Sequence, residues 1–163
     1  MVGRVRRVGD ALIADNAAVM GDVLLGRDVS VWFGVTIRGD DARIEIGDET
    51  NVQDNTCVHV DAGAPQRTGR GVTIGHGVVL HGVEVGDWTL IGMNATVLGG
   101  VRIGAWSIIG AGAVVQEGMV VPEGSVVLGV PGRIRRMVTE VEREAMRWRA
   151  RHYVQRALSY LAP

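Results

Sequence analysis

The stretch VGDWTLIGMNATVLGGVRIGAWSIIGAGAVVQEGMVVPEGSVV, residues 85–127, carries an aliphatic residue at every sixth position. The residues in phase are Val85, Ile91, Val97, Ile103, Ile109, Val115, Val121 and Val127. A fixed period of six is typical of a parallel β-helix, in which each hexapeptide forms a short strand and a turn, and three hexapeptides complete one coil. The same period holds from Ile13 to Ile37, is interrupted at 40–45 and resumes at Ile46. The sequence therefore predicts an all-β prism of about six coils.

The composition agrees with a narrow aliphatic interior. The chain of 163 residues is 47% hydrophobic but only 4% aromatic, and its 24 glycines suit tight corners. A net charge of −1 argues against a nucleic-acid partner. Because no apolar run approaches the ~20 residues of a membrane span, we expect no membrane partner either. Cys57 is the single cysteine, which excludes an intrachain disulfide, favours a cytoplasmic location and is expected to serve in packing.

The chain is predicted to form one domain in two parts. Residues 1–132 form the β-helix, which ends at Val130-Pro131-Gly132, and 133–163 form a helix that packs on it. The polar, glycine-rich segment 61–71 is interpreted as a loop leaving the coil. Thr139 and Glu142 have the spacing of a capping box at the start of the helix. Its expected apolar face comprises Val141, Ala145, Trp148, Tyr153, Ala157 and Leu161.

Three of the four histidines, His59, His76 and His81, fall within 23 residues of this repeat. His59 and His81 each follow an inward-pointing aliphatic residue. Their separation of 22 residues equals one 18-residue coil plus four, a surplus that the predicted loop can absorb. We therefore expect them to stack on adjacent rungs, about 4.8 Å apart. Two imidazoles at that spacing can bind one metal ion.

His76 is expected on a different side of the prism. It lies five residues before His81, so extended backbone separates the two by roughly 16 Å around a corner. It can complete the site only from a second subunit, and three subunits around a threefold axis would close three equivalent sites. The alternative is that each histidine is a surface or hydrogen-bonded core residue, which is our interpretation of His152 on the C-terminal helix.

Several short segments lie around these histidines and along the repeat. They are Val31-Trp32, Ile37-Arg38-Gly39-Asp40, Asn51-Val52-Gln53-Asp54, His59, Ile74-Gly75-His76, Leu80-His81-Gly82 and Ile91-Gly92-Met93. Through these segments the chain, from Ile13 to Leu161, resembles the γ-class carbonic anhydrases among the hexapeptide-repeat proteins.

The resemblance implies a left-handed parallel β-helix that assembles as a homotrimer with a metal at each interface. It implies that His59 and His81 bind the ion from one subunit and His76 from its neighbour. It further implies that Gln53 hydrogen-bonds the metal-bound solvent. Arg38, Asp40 and Asp54 match a polar cluster in which Arg and Asp pair across the interface. For Arg38 and Asp40, a purely structural salt bridge is an equal alternative to a catalytic role.

The implied reaction is reversible hydration of CO2 by a metal-bound hydroxide, with zinc, Fe(II) or Co as the ion. The pattern departs from that of the established enzymes, because Asp61 and Asp41 stand where glutamates assist proton transfer, and Asn94 stands where glycine is usual. Three alternatives stay open. They are hydrolysis of an acyl-CoA thioester as in phenylacetate or carnitine metabolism, acyl transfer as in other hexapeptide proteins, and a trimeric metal-binding scaffold without activity.

Overall fold

The computed structural model describes residues 3–161, which form a left-handed β-helix of about six turns and one C-terminal helix. The strands are β1 Val5–Val8, β2 Ala11–Ala14, β3 Ala18–Leu25, β4 Ser30–Val31, β5 Thr36–Ile46, β6 Asn51–Val52, β7 Cys57–His59, β8 Gln66–Thr68, β9 Thr73–Ile74, β10 Val79–Leu80, β11 Glu84–Val85, β12 Leu90–Ile91, β13 Thr96–Val97, β14 Arg102–Ile103, β15 Ile108–Ile109, β16 Val114–Val115, β17 Val120–Val121, β18 Ser125–Leu128 and β19 Arg133–Met137. The helix α1 spans Glu140–Ser159.

Two sheets build the three sides of the prism. Sheet A has the order β1-β2-β4-β6-β9-β12-β15-β18-β19, and sheet B has the order β16-β13-β10-β7-β5-β8-β11-β14-β17, with β3 also paired to β5. Because β5 runs through a corner as one strand, sheet B covers two sides of the prism. We call these the β7 side, with β7, β10, β13 and β16, and the β8 side, with β8, β11, β14 and β17.

The hexapeptide register is confirmed by the strand pairing. Ile91 pairs with Ile109, and Ile109 pairs with Val127, so successive rungs are 18 residues apart. The aliphatic residues in phase, such as Val97 and Ile103, are buried in one continuous core. The β1 and β19 strands are antiparallel to their neighbours and cover the two ends of sheet A. This arrangement protects edges that could otherwise pair with another chain.

The predicted loop 61–71 is wrong in its second half. Gln66–Thr68 forms β8, which pairs in parallel with both β5 and β11. Gln66 and Thr68 occupy the inward positions and are buried, and the Gln66 amide donates a hydrogen bond to the Thr68 hydroxyl. Two polar residues at inward positions conceal a strand from a search for aliphatic periodicity. The excursion from the coil is therefore confined to the few residues around Gly63.

The capping box of α1 is confirmed, whereas half of its predicted apolar face is wrong. The Thr139 backbone N–H donates to the Glu142 carboxylate, and the Glu142 backbone N–H donates to the Thr139 hydroxyl. Val141 and Trp148 are 75% and 64% exposed, so they do not pack on the β-helix. The buried residues are Met146, Ala150 and Ala157. These residues lie along a neighbouring stripe of the same helix. The many arginines of the helix make this stripe hard to recognise in the sequence. In addition, residues 133–137 form β19 rather than helix.

The helix α1 lies on sheet A, against β4, β6 and β9. Trp32 is the anchor, because its ring meets Tyr153 and Tyr160 edge to face at centroid distances of 5.6 and 5.7 Å. Nearer the N-terminus of α1, the Arg147 guanidinium lies 4.6 Å from the Trp106 ring centroid. Edge-to-face aromatic contacts and a cation–π contact thus hold the helix along the prism. No helix among residues 3–161 is long and apolar enough to cross a membrane.

Candidate metal centre

The β7 side brings His59 and His81 together on adjacent rungs. Leu80 pairs with Val58, so the histidine that follows each of them projects outward from the same place. His59 Nδ1 and His81 Nε2 face each other at 3.1 Å. This contact confirms the predicted stacking. Each ring is mostly shielded, with 19% and 27% of its side chain exposed, respectively.

His76 lies on another side of the prism, as the spacing predicts. It follows β9 in sheet A, whereas His59 and His81 belong to sheet B. Its Nδ1 is 2.9 Å from a carboxylate oxygen of Asp54, and its side chain is 46% exposed. A single chain therefore brings together two of the three predicted ligands and presents the third, half exposed, on a different face.

Carboxylates accompany each of these histidines. Asp40 Oδ1 and Asp41 Oδ2 are both 3.3 Å from His59 Nε2, and Asp61 Oδ2 is 3.5 Å from His81 Nδ1. Together with the Asp54 contact to His76, this surrounds the imidazoles with negative charge. Such neighbours favour a bound cation and orient ligand rings.

The predicted polar cluster is divided between two sides of the prism. Arg38 donates to Asp40 at 3.1 Å within the same chain. Asp54 lies beside His76 in sheet A and joins neither residue in the protomer. A contact between Arg38 and Asp54 requires a second subunit, whereas the contact between Arg38 and Asp40 does not.

Gln53 directly follows β6 and is only 4% exposed. Its amide nitrogen donates to Asn51 Oδ1 at 2.9 Å, which leaves its carbonyl oxygen free to accept. Gln53 and His76 line one groove of about 400 Å³. In the protomer Gln53 thus accompanies His76 rather than His59 and His81.

Two residues of α1 that the sequence did not assign to the site border this groove. Tyr153 and Arg149 line it together with Gln53 and His76. Burial raises the pKa of Tyr153 above its ordinary value, and the Asp54 carboxylate adds to the rise. The sequence shows that Tyr153 belongs to an apolar face of the helix, and such a face predicts only that the helix packs on the β-helix. The proximity of Tyr153 to His76 follows from the tertiary structure alone.

Cys57 does not serve in packing as predicted. It is exposed and lies on the outer surface of β7, two residues before His59, with inward-pointing Val58 between them. Strand alternation puts both side chains on one face because β7 has no turn within it. His152 matches its expected place on α1, where it is exposed and stacks on Trp148 at 4.7 Å.

The donor set fits a divalent metal ion. Ligand atoms around a tetrahedral zinc ion with bonds of about 2.0–2.1 Å lie roughly 3.3 Å apart, close to the 3.1 Å between His59 Nδ1 and His81 Nε2. Two facing imidazole nitrogens can form a hydrogen bond only if one carries a proton and the other a lone pair. A metal ion bound between them needs a lone pair from each nitrogen and no proton. His59 and His81 can therefore provide two ligands, with His76 of another protomer as the candidate third.

The fold places this chain in the class of hexapeptide-repeat proteins, and residues 89–117 match the bacterial transferase hexapeptide (six repeats) family. A protein of Methanocaldococcus jannaschii, named probable carbonic anhydrase, is 52% identical over 88% of this chain and 90% of its own length. Gamma carbonic anhydrase 1, mitochondrial, from Arabidopsis thaliana is 40% identical, and the match covers 94% of this chain and 58% of that longer protein. The chain belongs to the γ-class carbonic anhydrase-like family of hexapeptide-repeat proteins.

A solved relative has a different description. The crystal structure of a putative acetyltransferase from Bacillus cereus is 35% identical and superposes with a TM-score of 0.90, covering 95% of this chain and 90% of that one. Membership of the family therefore does not identify the substrate, which has to be inferred from the residues of the site.

Proposed function

We propose that this chain is a metal-dependent carbonic anhydrase-like enzyme that catalyses reversible hydration of CO2 at the interfaces of a homotrimer. The observation that carries the proposal is the pair of imidazole nitrogens, His59 Nδ1 and His81 Nε2, facing each other at 3.1 Å on adjacent rungs. The similarity to the archaeal protein named probable carbonic anhydrase supports the same reaction.

The third ligand is the partner subunit's His76. Its side chain is half exposed in the protomer and belongs to sheet A, so it can meet the β7 side of a neighbour. The ion is zinc, with Fe(II) or Co as the other ions that three imidazoles suit. Bound there, it supplies Lewis acidity that lowers the pKa of a water ligand to about 7.

The polar residues position the reactants and move the proton. The free carbonyl oxygen of Gln53 accepts a hydrogen bond from the nucleophilic solvent without adding charge. Arg38 holds Asp40 beside His59, and Asp54 orients the ring of His76. Asp61 is 66% exposed and lies 3.5 Å from His81, so it can carry protons between the proposed metal site and bulk water. The single cysteine agrees with a reducing compartment, and we place the enzyme in the cytoplasm.

Replacement of His81 by alanine tests the proposal. We expect His81→Ala to lose the bound metal and CO2 hydration activity together, measured by elemental analysis and stopped-flow assay of the metal-reconstituted protein. His152→Ala is the matched control, because that histidine stacks on Trp148 away from the site and its loss should change neither quantity. Full activity in His81→Ala would contradict the proposal.

A second candidate is chemistry on an acyl-CoA. The groove beside His76 is lined by Leu90, Met93 and Ile108 together with Arg149, which suits an apolar acyl chain next to an anionic group. A solved relative described as a putative acetyltransferase favours the same idea. A panel of acyl-CoA esters, assayed with and without an amine acceptor, separates hydrolysis from transfer. No turnover above background would exclude both and, if CO2 hydration were absent too, would leave a metal-bound scaffold.

A further inference from the structure

A second set of donor atoms lies on the opposite edge of the His59 ring. Asp40 Oδ1 and Asp41 Oδ2 are each 3.3 Å from His59 Nε2, the nitrogen that faces away from His81. The ligand atoms of these three residues all lie within 4.8 Å of one another. Donors on one divalent ion are roughly 2.9–3.6 Å apart at ordinary bond lengths. The three atoms therefore already approach the spacing of one coordination shell.

His59 Nε2 needs a partner that the chain does not supply. Among the described residues it is buried and makes no hydrogen bond. The two carboxylates are close to it but are not aligned to accept its proton. A buried polar nitrogen normally has a partner, and a cation among the three atoms would provide one.

A bulge in β5 explains why two consecutive aspartates face the same histidine. Gly21 pairs with Gly39 and Val23 pairs with Ile44, so Asp22 alone lies opposite the segment 40–43. Such a bulge interrupts the alternation of side chains and redirects them. Glycine is needed at position 39, where a Cβ would lie 2.7 Å from the Asp22 carbonyl oxygen. The backbone thereby fixes both carboxylates on the outer surface next to β7.

The surrounding charges leave the two inner oxygens available. Arg38 contacts Asp40 through Oδ2 and leaves Oδ1 directed at His59. Arg43, the other cation of this strand, pairs with Asp22 and Glu45 instead. Two carboxylates with one nearby arginine leave a net negative site, and both aspartates are about half exposed, so an ion can enter from solvent.

We propose that Asp40, Asp41 and His59 form a second divalent-cation site that lies wholly within one chain. Two carboxylate oxygens and one imidazole suit Mn(II) or Fe(II) better than the all-histidine interface site does. A neutral imidazole has one lone pair, so His59 serves either this site or the interface site at one time. The intrachain site can thus hold an ion on a protomer that has no partner, and it does not depend on the proposed CO2 chemistry.

The test removes the interface site and asks whether a cation still binds. The full-length His76→Ala/His81→Ala variant, titrated with Mn(II) and followed by electron paramagnetic resonance, should bind one ion per chain. Adding Asp40→Asn and Asp41→Asn should abolish that binding. Adding Glu45→Gln and Glu84→Gln instead removes two exposed charges of the neighbouring β8 side and should leave the binding unchanged.

Failure to bind Mn(II) in the folded histidine variant, or equal binding after loss of both aspartates, overturns the second site. Folding is checked by circular dichroism, and His76→Asn/His81→Asn replaces the alanine pair if that pair does not fold. Because His76 and His81 are absent from every protein in this experiment, the interface site cannot form, and the outcome is separate from that of the activity test on His81→Ala.

Discussion

Each histidine of the site has two ring nitrogens, and the surroundings distinguish them. Asp54 lies next to Nδ1 of His76, and Asp61 lies next to Nδ1 of His81, which leaves Nε2 of both rings for the proposed metal ion. His59 is reversed, since its Nδ1 faces His81 and its Nε2 faces the aspartates. Carboxylates next to ligand histidines orient the rings and raise their basicity. The ring nitrogen that each aspartate contacts thus decides which nitrogen of that histidine is left to bind the proposed metal ion.

Gln53 is expected to act on the reaction without holding the metal. In Gln53→Ala we expect kcat/KM for CO2 hydration to fall about tenfold to a hundredfold, since a positioned polar group that stabilises the transition state typically contributes such factors or more. Metal content should stay at the wild-type level because the amide is not a ligand. Stopped-flow kinetics and elemental analysis on the same samples measure both quantities.

Gln116→Ala is the control for Gln53→Ala. Gln116 accepts a hydrogen bond from Arg133 on an exposed part of the prism, remote in sequence from the metal residues. Its replacement should leave kcat/KM unchanged. Loss of metal in Gln53→Ala, or unchanged kinetics, would show that Gln53 does not have the proposed role.

At the scale of elements, most strands of this protein are only two residues long. Such strands cannot persist alone, and they are stable here because most of them are paired on both sides and their aliphatic residues are buried in a shared core. The helix differs, because its start is held by local polar contacts. Arg136 donates two hydrogen bonds of 2.7 Å to Glu142, which also completes the capping box with Thr139.

The start of α1 should be sensitive to pH through Glu142. The hydrogen bonds from Arg136, aided by the backbone N–H of Thr139, lower the pKa of Glu142 to about 2, against about 4.3 in an unfolded chain. A depressed carboxylate pKa stabilises the fold above the unfolded value, and that stability is lost as pH falls from about 4.3 towards 2. Wild type should therefore exceed Glu142→Gln in unfolding free energy at pH 7, by less than about 1 kcal/mol for an exposed pair.

Denaturant unfolding of the metal-free proteins at pH 7 and pH 3 measures this difference, which should shrink at the lower pH. Glu144→Gln, two residues further along an exposed part of α1, is the control and should show no such dependence. A difference that grew on acidification would contradict the assigned role of Glu142.

At the scale of the whole molecule, the residues of the proposed centre occupy two sides of the prism. Gln53, Asp54 and His76 belong to sheet A, next to α1, whereas His59 and His81 belong to the β7 side. A threefold axis that places sheet A of one protomer against the β7 side of the next would unite the two halves three times per trimer.

Mixing two inactive variants should restore activity if the halves come from different chains. His76→Ala and His81→Ala each lack one half of every site. In trimers assembled randomly from equal amounts, about three-quarters contain both variants, and each of these has one intact site in three. CO2 hydration should therefore recover to about a quarter of the wild-type rate per chain, measured after co-refolding and purification of the trimer.

The control mixture is His59→Ala with His81→Ala. Both changes damage the same half of the site, so no arrangement of these chains contains an intact centre, and activity should stay at background. Equal recovery in both mixtures, or none in either alongside active wild type, would be inconsistent with sites shared in this way.

The amino-acid sequence by itself determined the β-helix and the relation between its histidines. A six-residue period of Val, Ile and Leu admits one repeating backbone, and that backbone converts residue spacing into spatial position. The stacking of His59 with His81, and the separate side occupied by His76, could therefore be predicted by counting. The capping box at Thr139 could also be predicted, because it depends only on two residues three positions apart.

The tertiary structure alone decided the features for which no period exists. Gln66 and Thr68 can face inward from a strand because their side chains form a hydrogen bond with each other. A hydrophobic pattern does not reveal such a pair. The bulge opposite Asp22 turns Asp40 and Asp41 towards His59, and the seat of α1 on sheet A brings Tyr153 to the groove of His76. These placements arise from contacts between residues distant in sequence or from an interrupted register. Periodicity carries no information about either one.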